Sequence, residues 1–419
     1  MHAIRIDRSK GLAEQPGCGH NRYHPDIPPV LEVAEGEEVV LECRDGLDGQ
    51  ITAGTTVDDF PNLDSGRIHP LTGPVFVKGA EPGDALEVEF LEIEAQPYAF
   101  SCIMPGLGFL RDVIDTPFLA HWKIADGWAT SEQIPGVRIP GAPFMGISAT
   151  APSHDKLVEW TDREQRLIDR GGMVFPPDGA GAIPGGGCGL KGLRTLPPRE
   201  HGGNFDVKQL TKGSKLLLPV YVDGALFSVG DGHFAQGDGE VCVTAVEMGA
   251  TAAVRFKLHK GLAAKRQHIN APVYSFRQEI TQPEPLKTGT VLAAMGMPFT
   301  EDGEIDGVES EDPRIKAKFE SATLKINDLY SNRSDMVDFL RELSSRSLIR
   351  ADELEEFLGQ RFSCEAQEIS ASKCGQYHFK SLVDMDRPQD VVPLDMVMNW
   401  RERLRNYRLL YENGMSVRS

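Results

Sequence analysis

The early part of the chain alternates in character. Leu86, Val88 and Phe90 are apolar while Glu87 and Glu89 are charged, a period-two pattern that predicts a strand with one buried face. Val30–Val33 and Glu38–Cys43 predict two more short strands, parted by the turn Glu35-Gly36-Glu37. Glu81-Pro82-Gly83-Asp84 is a proline–glycine turn signal ahead of the alternating run. Residues 96–150 carry many prolines and glycines and predict mostly loop. The period then changes. Leu157, Trp160, Leu167 and Ile168 recur at helical spacing, Ser153 offers an N-cap and Gly171-Gly172 a stop, so a helix is expected over Ser153–Arg170.

Residues 173–200 return to proline and glycine. Gly187-Cys188-Gly189-Leu190-Lys191-Gly192 has GxGxxG spacing, but no strand leads into it and Pro197-Pro198 soon follows. It is expected to open no helix, which excludes a dinucleotide fingerprint. Leu216–Val222, Asp223-Gly224 and Ala225–Val229 predict a hairpin with a type I′ turn, and Pro219 places its first strand at an edge or bulge. Asp223 is accounted for by that turn. Val241–Glu247 and Arg255–His259 are expected to continue the sheet. Further on, helices are expected over Asp312–Tyr330, Asp335–Ser344 and Ala351–Leu358, and strands over Tyr377–Val383 and Val391–Met396. A basic amphipathic helix is expected over Val397–Asn413, its arginines forming a solvated face or a subunit contact. The fold class is therefore mainly β with some helix (α+β). The expected organisation is a β core over 1–260, including the loop-rich insertion 96–200, and a C-terminal region over 261–419 that packs back on it.

Composition narrows the classes of function. The 419 residues include 43 Gly and 28 Pro, an excess that favours turns and β structure, with 40% hydrophobic and 25% charged residues as in ordinary globular chains. A formal net charge of -18 argues against nucleic acid and anionic membranes as partners and suits a small neutral substrate. The seven cysteines are scattered with no CxxC pair, which predicts reduced thiols. No apolar stretch after Met1 resembles a signal peptide and no run reaches the ~20 residues of a membrane helix, so a cytoplasmic protein is expected.

The candidate chemistry lies on two glycine-rich stretches, His201-Gly-Gly-Asn-Phe-Asp206 and Gly230-Asp-Gly-His-Phe-Ala-Gln-Gly-Asp-Gly-Glu240. On an extended backbone residues two apart share a face, so Asp231 and His233 point together, as do Gln236, Asp238 and Glu240. Imidazole and carboxylate at that spacing suit a divalent metal, with Asp206 and His201 approaching from the neighbouring loop. Glu240 or Asp238 is the candidate for proton transfer, and Asn204 and Gln236 for orienting a substrate or an oxyanion. Asx-turns beside glycine would explain any one of these residues alone. His69 and Asp58 are further candidates to line the site, and His20-Asn-Arg-Tyr-His-Pro25 a candidate subunit contact or pocket wall. Trp122 and Trp128 are expected to pack. No GxSxG elbow or Gly-Ser-Ser-Gly loop is present, and Cys188 has no nameable partner.

These stretches, with Asn21-Arg-Tyr-His-Pro-Asp26, Pro70-Leu-Thr-Gly-Pro-Val-Phe-Val-Lys-Gly-Ala-Glu-Pro-Gly-Asp84, Thr195-Leu-Pro-Pro-Arg-Glu200 and Leu218-Pro-Val-Tyr-Val-Asp-Gly-Ala225, resemble the acetamidase/formamidase family over about residues 20–95 and 130–260. The resemblance implies a jelly-roll-like β-sandwich that hydrolyses short amides to ammonia and a carboxylic acid. It also implies a divalent metal, zinc before calcium, and a homo-oligomer. Asp206, His233 and the segment Gly237–Glu240 match the family's acidic and histidine positions. The C-terminal helices depart from the family pattern. That leaves open a larger amide or a urea-like substrate, or a non-catalytic β-sandwich that binds a metal or small ligand.

Overall fold

The computed structural model describes residues 2–107, 116–169, 174–237, 240 and 242–265, with the backbone of strands 273–277, 290–296, 363–367 and 378–384. The helices expected over 312–330, 335–344, 351–358 and 397–413, and the strand expected over 391–396, lie outside the described residues.

Among the described residues the chain is mainly β with few helices. Strands β1 (Glu38–Cys43), β2 (Leu71–Val77), β3 (Ala85–Ile103), β4 (Phe118–Ala125) and β5 (Phe144–Ala149) precede the helix α1 (His154–Asp169). Strands β6 (Gly202–Asn204), β7 (Lys215–Pro219), β8 (Phe227–His233) and β9 (Glu247–His259) follow it. The long strands β3 and β9 pair antiparallel from Glu247 opposite Phe100 to His259 opposite Ala85, with register shifts on the way. β9 also pairs with β1, and β8 pairs antiparallel with β2, β5 and β9. Parallel pairings join His2–Ile4 to β1 and Leu31–Val33 to β2.

The alternation in β3 has a packing consequence. Leu86, Val88 and Phe90 lie in the main core with Val39, Leu41 and Phe256. Glu87 is buried as well, contrary to a face open to water. It accepts from His259 Nε2 at 2.5 Å and meets Lys215 Nζ at 2.9 Å, so its charge is compensated. The expected helix forms as α1, with Ser153 Oγ accepting from the Lys156 amide at 3.2 Å. Leu157 and Trp160 pack with Tyr23, Ile147 and Leu193 in a second apolar cluster.

Several expectations are corrected. The hairpin over 216–229 does not form: β7 pairs with β3, and β8 with β2, β5 and β9. The reason is local. Gly224, Ala225 and Leu226 all take positive φ, which redirects the chain between sheet partners instead of folding it back. Residues 96–150 hold more strand than loop, including the end of β3, β4 and β5. Strand β9 begins at Glu247, where the expected strand ends. The segment Gly186–Lys191 is a short helix, though still with no strand leading into it. Trp122 is in the core as expected, whereas Trp128 is 37% exposed and stacks under Arg138. Strand β10 (Val273–Arg277) pairs with β7, and β11 (Thr290–Gly296), β12 (Ser363–Gln367) and β13 (His378–Asp384) extend the pairing, the last close to the strand expected over Tyr377–Val383. Among the described residues no helix is long and apolar enough to cross a membrane.

Candidate active site

Strand β8 ends in Asp231-Gly232-His233, and β5 runs antiparallel beside it with Phe144 opposite His233. The His233 ring meets Phe144 edge-on at 4.9 Å between centroids, and both residues are fully buried. Four carboxylates gather near this imidazole. His233 Nε2 lies 3.1 Å from Glu247 Oε2, 3.5 Å from Asp231 Oδ1 and 3.6 Å from Glu240 Oε1. Asp206 completes the group: the ligand atoms of Asp206, His233 and Glu240 lie within 4.8 Å of one another, as do those of Asp231, His233 and Glu247.

The backbone is bent to make this cluster. Asp206 and Asp231 have φ of 45° and 58°, the left-handed region that side chains seldom adopt. The amides of Phe205 and Asp206 both donate to Gly146 O on β5. Gly146 leaves the space for the cluster. A Cβ there would lie 2.6 Å from Asp206 Oδ1 and 2.9 Å from both Asp231 Oδ2 and His233 Cε1. A Cβ at Gly46 would collide with Asp231 Oδ1 and lie 3.2 Å from His69 Cδ2, which sets His69 beside Asp231.

Electrostatics follow from burial. Burial alone would depress His233, but the charges of Glu247 and Asp231 and their hydrogen bonds outweigh it and hold its pKa well above 6.5. Four carboxylates around one imidazole, all buried, make a donor-rich group of the kind that a divalent cation can bind. A mixed oxygen and nitrogen donor set of this kind suits zinc or a similar divalent ion better than calcium, which prefers oxygen alone. Nearby, the half-buried Asp45 is pushed up to about 7, first by loss of water around its carboxyl, with Glu247 and Asp48 adding to the effect.

The structure thus brings together Asp206, Asp231, His233 and Glu240 among the expected residues. Asp238 lies outside the described residues. Gln236 and Asn204 point to backbone: Gln236 Nε2 donates to Asp206 O at 2.8 Å, and Asn204 Nδ2 to Leu196 O at 3.1 Å. His201 is elsewhere. It sits against Tyr23 and Trp160, with Nδ1 on Thr150 O at 2.5 Å, and burial lowers its pKa to about 3. It belongs to neither of these ligand clusters: its ring packs against Trp160 of α1. Asp58 is exposed on a short helical turn. His20, Asn21, Arg22, Tyr23 and His24 are buried within the chain itself, where Asn21 and Arg22 bond the carbonyls of Gly66 and residues 178–181. Sequence reasoning missed Glu247 and Gly146. Glu247 had a signal: it is the lone charge in the apolar run from Val241 to Ala253.

A family model described as the Acetamidase/Formamidase family matches residues 5–318. The chain belongs to this family. The acetamidase of Mycolicibacterium smegmatis is 40% identical over 282 residues, 61% of this chain and 70% of its own length. The formamidase of Methylophilus methylotrophus is 36% identical over 302 residues, 68% of this chain and 72% of its own. Among solved structures, a gamma lactamase from Delftia acidovorans superposes with a TM-score of 0.63 at 29% identity, covering 94% of this chain and 95% of that one. An acetamidase from Bacillus halodurans shares the fold with a TM-score of 0.55 at 22% identity, covering 87% and 94%.

Proposed function

We propose that this chain hydrolyses a small aliphatic amide, of the formamide or acetamide kind, to ammonia and a carboxylic acid in a metal-dependent reaction. Family membership and the acetamidase and formamidase relatives support the reaction class. The observation that carries the metal is the buried group of four carboxylates around His233, whose donor atoms lie within 4.8 Å of one another in two sets of three. Asp206, Asp231, His233, Glu240 and Glu247 offer the donor atoms, so more than one subset can serve as ligands. When bound, a divalent ion supplies Lewis acidity, polarising an amide carbonyl and acidifying water.

The residues of the chain do the rest in this reading. A carboxylate not engaged as a ligand, Glu240 first and Asp238 beside it in sequence, carries the proton from water toward the departing amine. Gln236 fixes the Asp206 carbonyl and so the loop around the cluster. Phe144 and the buried walls keep bulk water from the imidazole. Asn204 acts in this reading through its bond to Leu196 O, holding the loop rather than an oxyanion. A jelly-roll-like sandwich, a cytoplasmic location and a homo-oligomer remain part of the same proposal, on family grounds.

The test is ammonia release from formamide, acetamide, longer amides and urea by protein of known metal content. Release lost on chelation and restored by zinc is the expected result. Undiminished release from fully metal-free protein would overturn the metal part, and no release from any amide would overturn the substrate class.

A further inference from the structure

Helix α1 and the segment leading to Asp206 are joined by two buried ion pairs of reciprocal form. Arg163 donates through Nη1 and Nη2 to the two carboxylate oxygens of Glu200 at 2.6 and 2.8 Å. Arg199 donates through Nε and Nη2 to those of Glu164 at 2.5 and 2.8 Å. Two Arg-Glu dipeptides, one on the helix and one on the loop, thus exchange partners. All four residues are buried, Arg199 completely. A guanidinium that meets a carboxylate at two points fixes orientation as well as distance.

The connection onward is short. Arg199 Nη1 donates to the carbonyls of Arg194 and Pro197, tying the loop to itself. The backbones of Arg199 and Gly202 exchange hydrogen bonds in both directions, at 2.9 and 3.0 Å. His201 between them rests on Trp160 of α1, with ring centroids 4.9 Å apart. β6 starts at Gly202, and the Asp206 amide is bonded to Gly146 O. The run is therefore held at its two ends, by α1 and by β5, and the positive φ of Asp206 falls at the second end. A buried ion pair by itself is weak evidence for stability, because apolar replacements often serve as well. What an apolar contact lacks is the directional hold.

We propose that Arg163, Glu164, Arg199 and Glu200 are positioning residues, a clamp that holds segment 199–206 so that the Asp206 carboxylate stays in the cluster around His233. The link to metal binding rests on the reading of Asp206 as a ligand; the clamp itself does not.

The test uses the full chain and four variants. Glu200→Gln removes one charge with little change of shape. Arg163→Glu breaks the same pair, and Arg163→Glu combined with Glu200→Arg restores it with the charges exchanged. Glu87→Gln breaks a different buried pair, Glu87 with His259, at the opposite end of β9 from Glu247. Hydrogen exchange of the 202–206 amides is followed in metal-free protein, and cobalt(II) binding by its absorption spectrum. Glu200→Gln and Arg163→Glu are expected to speed exchange at least about tenfold. They are expected to weaken cobalt binding about 10- to 100-fold, as loss of a ligand's supporting contact does. The exchanged pair restores both, and Glu87→Gln alters neither. Unchanged exchange over 202–206 in cooperatively folded Glu200→Gln would overturn the clamp, as would equal loosening by Glu87→Gln. If the wild-type chain bound no cobalt, the metal reading would fall and the exchange result alone would decide the clamp.

Discussion

Two groups of buried charge lie at the two ends of segment 199–206, and they are built on opposite rules. Next to α1, two guanidinium groups meet two carboxylates in bidentate pairs and the charges cancel. At the end of β8, four carboxylates crowd around one imidazole, with donor atoms converging instead of pairing one to one. Burial is nearly complete in both. A protein interior tolerates charge where it is paired, so the first group reads as a fixed scaffold, whereas the converging donors of the second have the form of a cation site. The difference separates a scaffold from a candidate site without reference to any relative.

The comparison is broken most severely at His233. His233→Ala removes the imidazole nitrogen around which both donor sets are built. Activity on a short amide is expected to fall by roughly a thousandfold or more, the scale of a lost catalytic centre. Bound zinc per chain should fall with it, while circular dichroism keeps its β signature. Wild-type turnover by this variant would rule out the cluster as the active site.

The balanced group responds differently. Arg199→Ala leaves Glu164 buried without its cation and should cost about 3–5 kcal/mol of stability. Replacing both, Arg199→Met with Glu164→Leu, should cost much less in a urea titration, because no charge is stranded. If the single and double variants were equally destabilised, simple packing would account for Arg199 and the ion pair would not.

Much of this arrangement was legible in the residues, and the part that was not has physical causes. Period two gave β3, and helical spacing with a serine cap gave α1 nearly to the residue. Asp206, Asp231, His233 and Glu240 stood out because capable side chains alternate with glycines. The hairpin over 216–229 misled because Asp223-Gly224 satisfies local turn chemistry, whereas positive φ continues through Ala225 and Leu226 and each strand finds its partner far along the chain. His201 misled for a related reason: it sits in the right motif, but its side chain is claimed by Trp160 and Thr150. Glu247 escaped because its partner lies across a strand pairing that period alone does not specify.

Buried histidines are treated in opposite ways, and pH exposes this. His233 is held charged among carboxylates, while burial lowers His201 to about 3 and His20 to about 4. The folded state keeps the latter two neutral, but the unfolded chain protonates them near 6.5. Below that pH the unfolded state binds more protons, so stability falls as pH drops toward 4, by up to about 1.4 kcal/mol per pH unit for each histidine. His201→Gln should be less stable at pH 7 yet show a shallower loss between pH 6.5 and 5. An unchanged slope would mean that His201 is not neutral in the fold.

The smallest effect has the most telling sign. Glu240 lies 3.6 Å from His233, slightly farther than Glu247 or Asp231, and shares the cluster with the other carboxylates. In metal-free protein Glu240→Gln takes one carboxylate out of the crowded group and should raise stability, by about 1 kcal/mol at an effective dielectric suited to protein sites. With saturating zinc the order should reverse, since the wild-type carboxylate then faces a divalent cation and the amide does not. At the clamp no such reversal is available: Glu200→Gln unbalances a paired charge and should destabilise the chain with or without zinc. Melting temperatures of the two glutamine variants, each measured metal-free and zinc-loaded, therefore separate the groups by sign alone. Destabilisation of metal-free protein by Glu240→Gln would show that the cluster is already balanced within the chain, and the argument for a cation there would be lost.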